Sequence, residues 1–152
     1  MIRVRIPAGA LFNSIEIRVF VKPEEDLEVV KKSFLSLLPF NLDKMSLSVQ
    51  KAVTLDKKAM QIIYVVLTKQ KHMAAFFENV KKKLSDDDIR QLKFQNNRVD
   101  EDCNLFFRLD KSKILNGEYE LTDKGDCFHV KIKIATYPKS REKALELVKN
   151  SF

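Results

Sequence analysis

Hydrophobic and polar residues alternate along three short segments, which predicts three β-strands that each have one buried face and one outward face. The segments are Ser14 to Val21, Asn104 to Asp110 and Phe128 to Ile134. Two further strands are predicted at Ser46 to Val53 and at Ala59 to Leu67; the second is apolar on both sides, which places it in the middle of the sheet. The outward side chains expected on the three alternating strands are Glu16, Arg18, Phe20, Phe106, Arg108, Asp110, His129, Lys131 and Lys133.

Apolar residues recur at intervals of three and four between these strands, which predicts helices. The first helix is expected to begin near Pro23, whose missing N–H costs little in a first turn, and to end before Pro39. A second helix spans Lys69 to Leu84, with a stripe of methionine and phenylalanine that is typical of a core-facing helix. Ser85 and Asp88 form a predicted capping box for a short third helix.

The order of the elements predicts the fold. After the central strands we expect a helical turn at Ser112 to Leu115, a hairpin that pairs Glu118–Leu121 with Cys127–Thr136, and a last helix that begins around Pro138. Short connections between successive strands favour an α+β fold, with a mostly antiparallel β-sheet and α-helices packed on one face, as a single domain over 1–152. Met1 to Asn13 is either an extra edge strand or a flexible leader.

The charge of the chain changes the interpretation of the outward faces. Its 152 residues include 28 lysines and arginines and 21 aspartates and glutamates, for a formal net charge of +7. A basic balance of this size favours an anionic partner. If the three alternating strands share one sheet, basic and aromatic side chains gather on one face, where cations suit phosphates and aromatic rings suit stacking on bases.

RNA is therefore the expected partner, and the chain is expected to act without catalysis. The competing interpretation is that a second subunit or another protein covers the same face. The candidate RNA-binding residues include the lysines that end the second helix, and they are Arg18, Phe20, Lys81, Lys82, Lys83, Arg98, Phe106, Arg108, Lys111, Lys131 and Lys133.

The motifs of common active sites do not occur in this sequence, so no catalytic residue, cofactor, metal or small-molecule substrate is predicted. It has no glycine-rich phosphate loop, nucleophile elbow or His-Glu-x-x-His pattern. The acidic runs at 86–88 and 100–102 are better explained as a helix start and a solvated turn than as cation sites. No apolar run is long enough to cross a membrane. Without a signal peptide, a cytoplasmic location with free thiols at Cys103 and Cys127 is expected, with a disulfide as the alternative.

The segment from Arg98 to Lys111 carries a resemblance to a known family. Its pattern, Arg-Val-Asp-Glu-Asp-x-Asn-Leu-x-x-Arg-x-Asp-Lys, resembles the archaeal RNA-binding domain family whose members are labelled predicted exosome subunits. The resemblance extends over about 14–152. The residues at the motif positions are Arg98, Asp100, Asp102, Asn104, Phe106, Arg108, Asp110 and Lys111.

This resemblance implies several properties. The family is similar in fold to a large-subunit ribosomal protein that binds ribosomal RNA. It implies RNA binding, a role in RNA processing, a homodimer, and exosome or ribosome-associated proteins as partners. Cys103 stands where the family commonly has glycine, which implies a wider turn before the strand.

Overall fold

Five antiparallel strands form one sheet in the computed structural model, which describes residues 12–42, 47–53, 55–57 and 59–152. The strands are β1 (Phe12–Val21), β2 (Leu47–Val53), β3 (Ala59–Leu67), β4 (Asn104–Asp110) and β5 (Cys127–Ile134). Their spatial order is β2-β3-β1-β5-β4, so β1 is central and β3 is also internal, as its apolar sequence predicts. The predicted leader lies outside the described residues except for Phe12 and Asn13, which belong to β1; Ser46 also lies outside them.

The helices cover one face of this sheet. They are α1 (Leu27–Ser36), α2 (Gln70–Lys83), α3 (Asp86–Phe94), α4 (Lys111–Leu115) and α5 (Arg141–Ser151). Ile15, Ile17 and Val19 of β1 point toward the helices and are fully buried. The rings of Phe34 in α1 and Phe128 in β5 lie 6.1 Å apart across this interface. The predicted α+β fold, with an antiparallel sheet and helices on one face, is confirmed.

Side-chain caps set two of the helix starts. The Asp26 carboxylate accepts a hydrogen bond from the backbone N–H of Glu28, so α1 begins at Leu27 rather than near Pro23. Ser85 caps α3 as predicted, because its hydroxyl accepts from the N–H of Asp88. The second half of the predicted capping box is wrong, since the Asp88 carboxylate accepts from the N–H of Leu121 instead.

Two irregular segments of the chain pair with the outer edge of β4, one near each end of the strand. The N–H of Asp100 donates to the carbonyl of Asn104, and the N–H of Thr122 donates to the carbonyl of Arg108. Leu121 forms an isolated bridge with Leu109 of β4. The predicted hairpin between Glu118–Leu121 and the last strand is therefore wrong, because this segment adds to β4 and β5 pairs with β1 and β4. The predicted helical turn is confirmed as α4.

A tight turn precedes β4 and is held by Asp100. Its carboxylate accepts hydrogen bonds from the N–H groups of Asp102 and Asn104, both at 2.9 Å, and from the Asn104 amide at 3.2 Å. Burial alone would raise the pKa of Asp100, but these hydrogen bonds outweigh it and lower the pKa. The turn is not widened at Cys103, whose N–H donates to the Asp100 carbonyl. Cys103 instead adopts a left-handed conformation with φ of 64°.

The left-handed conformation of Cys103 can be tested with two variants. Cys103→Gly and Cys103→Ala both remove the buried sulfur, but only the alanine keeps a Cβ that is strained at positive φ. We expect the free energy of unfolding of Cys103→Gly to exceed that of Cys103→Ala by about 1 kcal/mol. Urea denaturation followed by circular dichroism measures both values. Equal stabilities, or a more stable alanine variant, would contradict the left-handed turn.

Candidate nucleic-acid interface

The sheet face opposite the helices carries the predicted outward side chains in cross-strand rows. Arg18 of β1 lies opposite His129 of β5, and His129 lies opposite Arg108 of β4. One step along the strands, Lys131 lies opposite both Glu16 and Phe106. We call this surface the open face, and we call Arg18, His129 and Arg108 its arginine row. Side chains that are directly opposite in antiparallel strands have Cβ atoms about 5 Å apart, so each row brings its members together.

The arginine row concentrates positive charge around one imidazole. Both guanidinium groups are on exposed residues, and Arg108 donates to the carbonyl of Asp123 at 3.2 Å. The imidazole Nε2 of His129 lies 3.5 Å from the Cys127 sulfur, and the Phe20 and His129 rings are nearly perpendicular, with centres 6.1 Å apart. Burial lowers the pKa of His129, and the charges of Arg18 and Arg108 lower it further. The imidazole is therefore neutral at neutral pH, between two permanent cations.

The second row combines a cation, an acid and an aromatic ring. The Lys131 ammonium lies 3.4 Å from the Glu16 carboxylate, which also accepts a hydrogen bond from the Tyr64 hydroxyl. Burial and this bond to Glu16 raise the pKa of Tyr64. The same ammonium lies 6.0 Å from the centre of the Phe106 ring, which is 43% exposed. Phe106 thus offers an accessible ring for stacking next to a cation.

A cavity of about 490 Å³ opens at the end of this face, beyond Lys131. Lys133, Lys139 and Asn104 are among its lining residues. Lys139 is paired with Asp102, whereas Lys133 is exposed and forms no ion pair with a described residue. The lining also includes Glu16 and Asp102, which pair with Lys131 and Lys139, so its three lysines exceed its acids by one positive charge.

The structure places Lys111 away from this surface. Its side chain is 2% exposed, and its ammonium donates to the Phe20 carbonyl at 2.7 Å, to Glu25 at 2.6 Å and to Asp126 at 3.1 Å. All three ammonium protons are therefore used within the protein. The prediction that Lys111 contacts phosphate does not fit this burial, because the side chain joins β1, the start of α1 and the loop before β5.

Arg98 is also directed into the protein. Its side chain is 9% exposed, and its guanidinium donates to Gln95 at 2.7 Å and to the Asp123 carboxylate at 3.2 Å. Arg108 donates to the carbonyl of the same Asp123. Arg98 therefore holds the loop on which Arg108 rests, and its predicted contact with RNA would require it to leave that position.

The predicted lysines of α2 do not join the open face. Lys81, Lys82 and Lys83 lie in the last turn of a helix that packs on the opposite side of the sheet. The Lys83 ammonium sits 5.1 Å from the centre of the Tyr119 ring. The structure thus gathers Arg18, Phe20, Phe106, Arg108, Lys131 and Lys133 and separates the other predicted contacts from them.

Two residues near this surface were not nominated from the sequence. Tyr64 interrupts the apolar run of β3, and its hydroxyl indicates in the sequence that this position has a polar partner. The identity of that partner, Glu16, becomes evident only from the β1–β3 register. Lys139 reaches the cavity through its contact with Asp102 across 37 positions of sequence. No local pattern indicates such a contact.

The acidic runs have structural roles in the described part of the chain. Asp88 holds the backbone of Leu121, and Asp100 holds its own turn. Within the described ranges, no three His, Cys, Asp or Glu side chains are grouped so as to hold a metal ion. Among the helices that the structure describes, none has the length and apolar character needed to cross a bilayer.

Comparison with known proteins gives concordant matches. A family model described as RNA binding matches residues 14–134. The RNA-binding protein PAB1135 of Pyrococcus abyssi is 26% identical over 140 residues, which cover 90% of this chain and 91% of that protein. The crystal structure of AF2318 from Archaeglobus fulgidus, of the DUF54 family, is 30% identical and superposes with a TM-score of 0.82, covering 93% of this chain and 99% of that one. Mth689, a DUF54 protein from Methanothermobacter thermautotrophicus, is 27% identical, with a TM-score of 0.77 and coverage of 93% and 98%. The chain therefore belongs to the RNA-binding family whose model spans residues 14–134.

Proposed function

We propose that this chain is a non-catalytic, cytoplasmic RNA-binding protein that contacts RNA through its open face. The observation that carries the proposal is the placement of basic side chains in cross-strand rows beside the exposed Phe106 ring. Arg18, Arg108, Lys131 and Lys133 would contact phosphates, and they outnumber the acids Glu16 and Asp110 on the same face of the strands. Phe106 would stack on one unpaired base, and Phe20, on the other side of the arginine row, would stack on another.

The membership of the RNA-binding family supports RNA rather than another polyanion as the ligand. The name of the Pyrococcus abyssi relative also supports it. We extend the proposal to a role in RNA processing, with the exosome or ribosome-associated proteins as partners, on the resemblance of the segment from Arg98 to Lys111. Measuring direct binding to a purified exosome core, with and without RNA, tests that association.

The salt dependence of RNA binding tests the proposed function. Four phosphate contacts to a single strand, each adding about 0.7, predict a slope of roughly −3 for log affinity against log salt. Affinity should then fall roughly 50-fold between 50 and 200 mM KCl. Filter binding with a single-stranded oligonucleotide measures the slope. The variant Arg18→Gln should reduce the magnitude of the slope by about 0.7, and undetectable or salt-independent binding would refute the proposal.

A second candidate function is protein interaction, in which a second copy of this chain or a partner subunit covers the open face. The exposed Phe106 ring favours it, because large aromatic side chains are enriched at protein interfaces. A homodimer formed through this face would bury the ring. Size-exclusion chromatography with light scattering tests this candidate, and a monomer at micromolar concentration would remove the homodimer.

A further inference from the structure

The arginine row has the geometry of a single anion site. Its three side chains stand on three adjacent strands, with His129 of β5 between Arg18 of β1 and Arg108 of β4. Cross-strand neighbours are about 5 Å apart at Cβ, and an arginine side chain is long enough to lean over the position beside it. An anion placed above the imidazole is therefore within reach of both guanidinium groups.

We propose that Arg18, His129 and Arg108 together bind one phosphodiester, in which His129 donates a hydrogen bond as an imidazolium, so that RNA binding takes up a proton. This inference rests on the proposed function and adds His129 to the contacts. In the neutral imidazole, one ring nitrogen lacks a proton and would face the phosphate or the Cys127 sulfur as an acceptor. Protonation turns both ring nitrogens into donors.

The groups that face His129 determine how its charge changes on binding. Arg18 faces it from β1, Arg108 from β4, Asp126 from the loop before β5, and Cys127 from its own strand. In the free protein, burial and the two arginines keep the imidazole neutral. A bound phosphodiester places one negative charge beside the imidazole, which offsets part of the repulsion from the two arginines and stabilises the imidazolium, although burial continues to oppose it. The pKa of His129 is therefore higher in the complex than in the free protein.

A group whose pKa rises on binding makes affinity increase as the pH falls. The increase is at most tenfold per pH unit for one proton, between the two pKa values, because binding and protonation are linked reciprocally. Since the free pKa lies below the ordinary value for histidine, we expect affinity to be roughly tenfold higher at pH 5.5 than at pH 7.5.

The chain offers a matched control, because it contains two histidines. His72 lies in α2 on the helix side of the sheet, where its ring stacks on Phe40 with centres 4.2 Å apart. An oligouridylate is the suitable probe, since uridine does not titrate between pH 5 and 8. Fluorescence anisotropy at constant ionic strength would compare the wild-type protein, His72→Gln and His129→Gln, with circular dichroism to check that each is folded at pH 5.5.

The expected result is a rise in affinity at low pH for the wild-type protein and His72→Gln, and none for His129→Gln. NMR titration of the His129 imidazole signal should also show a higher pKa with RNA than without it. Binding that is equally tight at pH 5.5 and at pH 7.5 would overturn the inference and leave the proposed function intact. A rise that persists in His129→Gln would also overturn it, and no binding at any pH would remove the proposed function as well.

Discussion

Replacing Lys111 by methionine is expected to lower the free energy of unfolding by about 3–5 kcal/mol. The methionine removes the ammonium that Glu25, Asp126 and the Phe20 carbonyl all accept from. Two acids would then lie close together with no cation between them, although Lys22 also reaches Asp126 at 3.2 Å. Because 22% of the Glu25 side chain and 31% of the Asp126 side chain are exposed to solvent, we expect the loss to lie at the lower end of this range.

Chemical denaturation of Lys111→Met and Lys113→Met measures this effect with a built-in control. Both lysines belong to α4, but Lys113 is half-exposed and pairs with Glu118 and Glu120 at 3.7 and 3.6 Å. Surface pairs of this kind contribute about 0–1 kcal/mol, so Lys113→Met should unfold close to the wild-type protein. Similar decreases in the free energy of unfolding for both variants would contradict the stabilising role that the buried contacts of Lys111 indicate.

Reversing the charge of both arginines in the arginine row, Arg18→Glu with Arg108→Glu, should weaken RNA binding roughly 100-fold at moderate salt. Each substitution removes a guanidinium that would meet a phosphate and adds a carboxylate that repels it. Both residues are exposed, so the folded state should persist. Anisotropy with the oligouridylate measures the loss.

The matched control is Lys82→Glu with Lys83→Glu, which changes the net charge by the same amount on the helix side. If long-range attraction alone governed binding, the two pairs would be equally harmful. If the open face contacts RNA, the arginine pair should be far more harmful. Unchanged RNA affinity in the arginine variant, together with a changed oligomeric state, would instead assign the open face to a partner protein.

The outward side chains of β1, β4 and β5 were predictable because alternation is a local property of a strand. The rows were not, because they depend on strand order. Arg18 and Arg108 come together only because β5 lies between β1 and β4, and no local pattern fixes that arrangement. The turn at Asp100 was also predictable, since a short acidic run that precedes a strand is typical of a turn.

Lys111 shows why the burial of a side chain was harder to predict than the face of a strand on which a side chain lies. Its acceptor Glu25 lies 86 positions away, so the sequence around α4 suggests only a surface lysine. The predicted hairpin at Glu118–Leu121 was wrong for a related reason. A segment of four residues with weak alternation can pair with either neighbouring strand. The Asp88 carboxylate accepts the Leu121 N–H, and this hydrogen bond favours pairing of the segment with β4. In both cases a distant carboxylate decides the outcome.

The unequal edges of the sheet limit how molecules of this protein can associate. Irregular segments pair with the outer edge of β4 near both of its ends, whereas within the described residues no segment pairs with the outer edge of β2. A strand added to an open edge normally presents a new open edge, and repetition of that step builds a filament. If β2 paired with β2 of a second copy, a β4 edge would lie at each end of the joined sheet, and growth by strand addition would stop at two molecules.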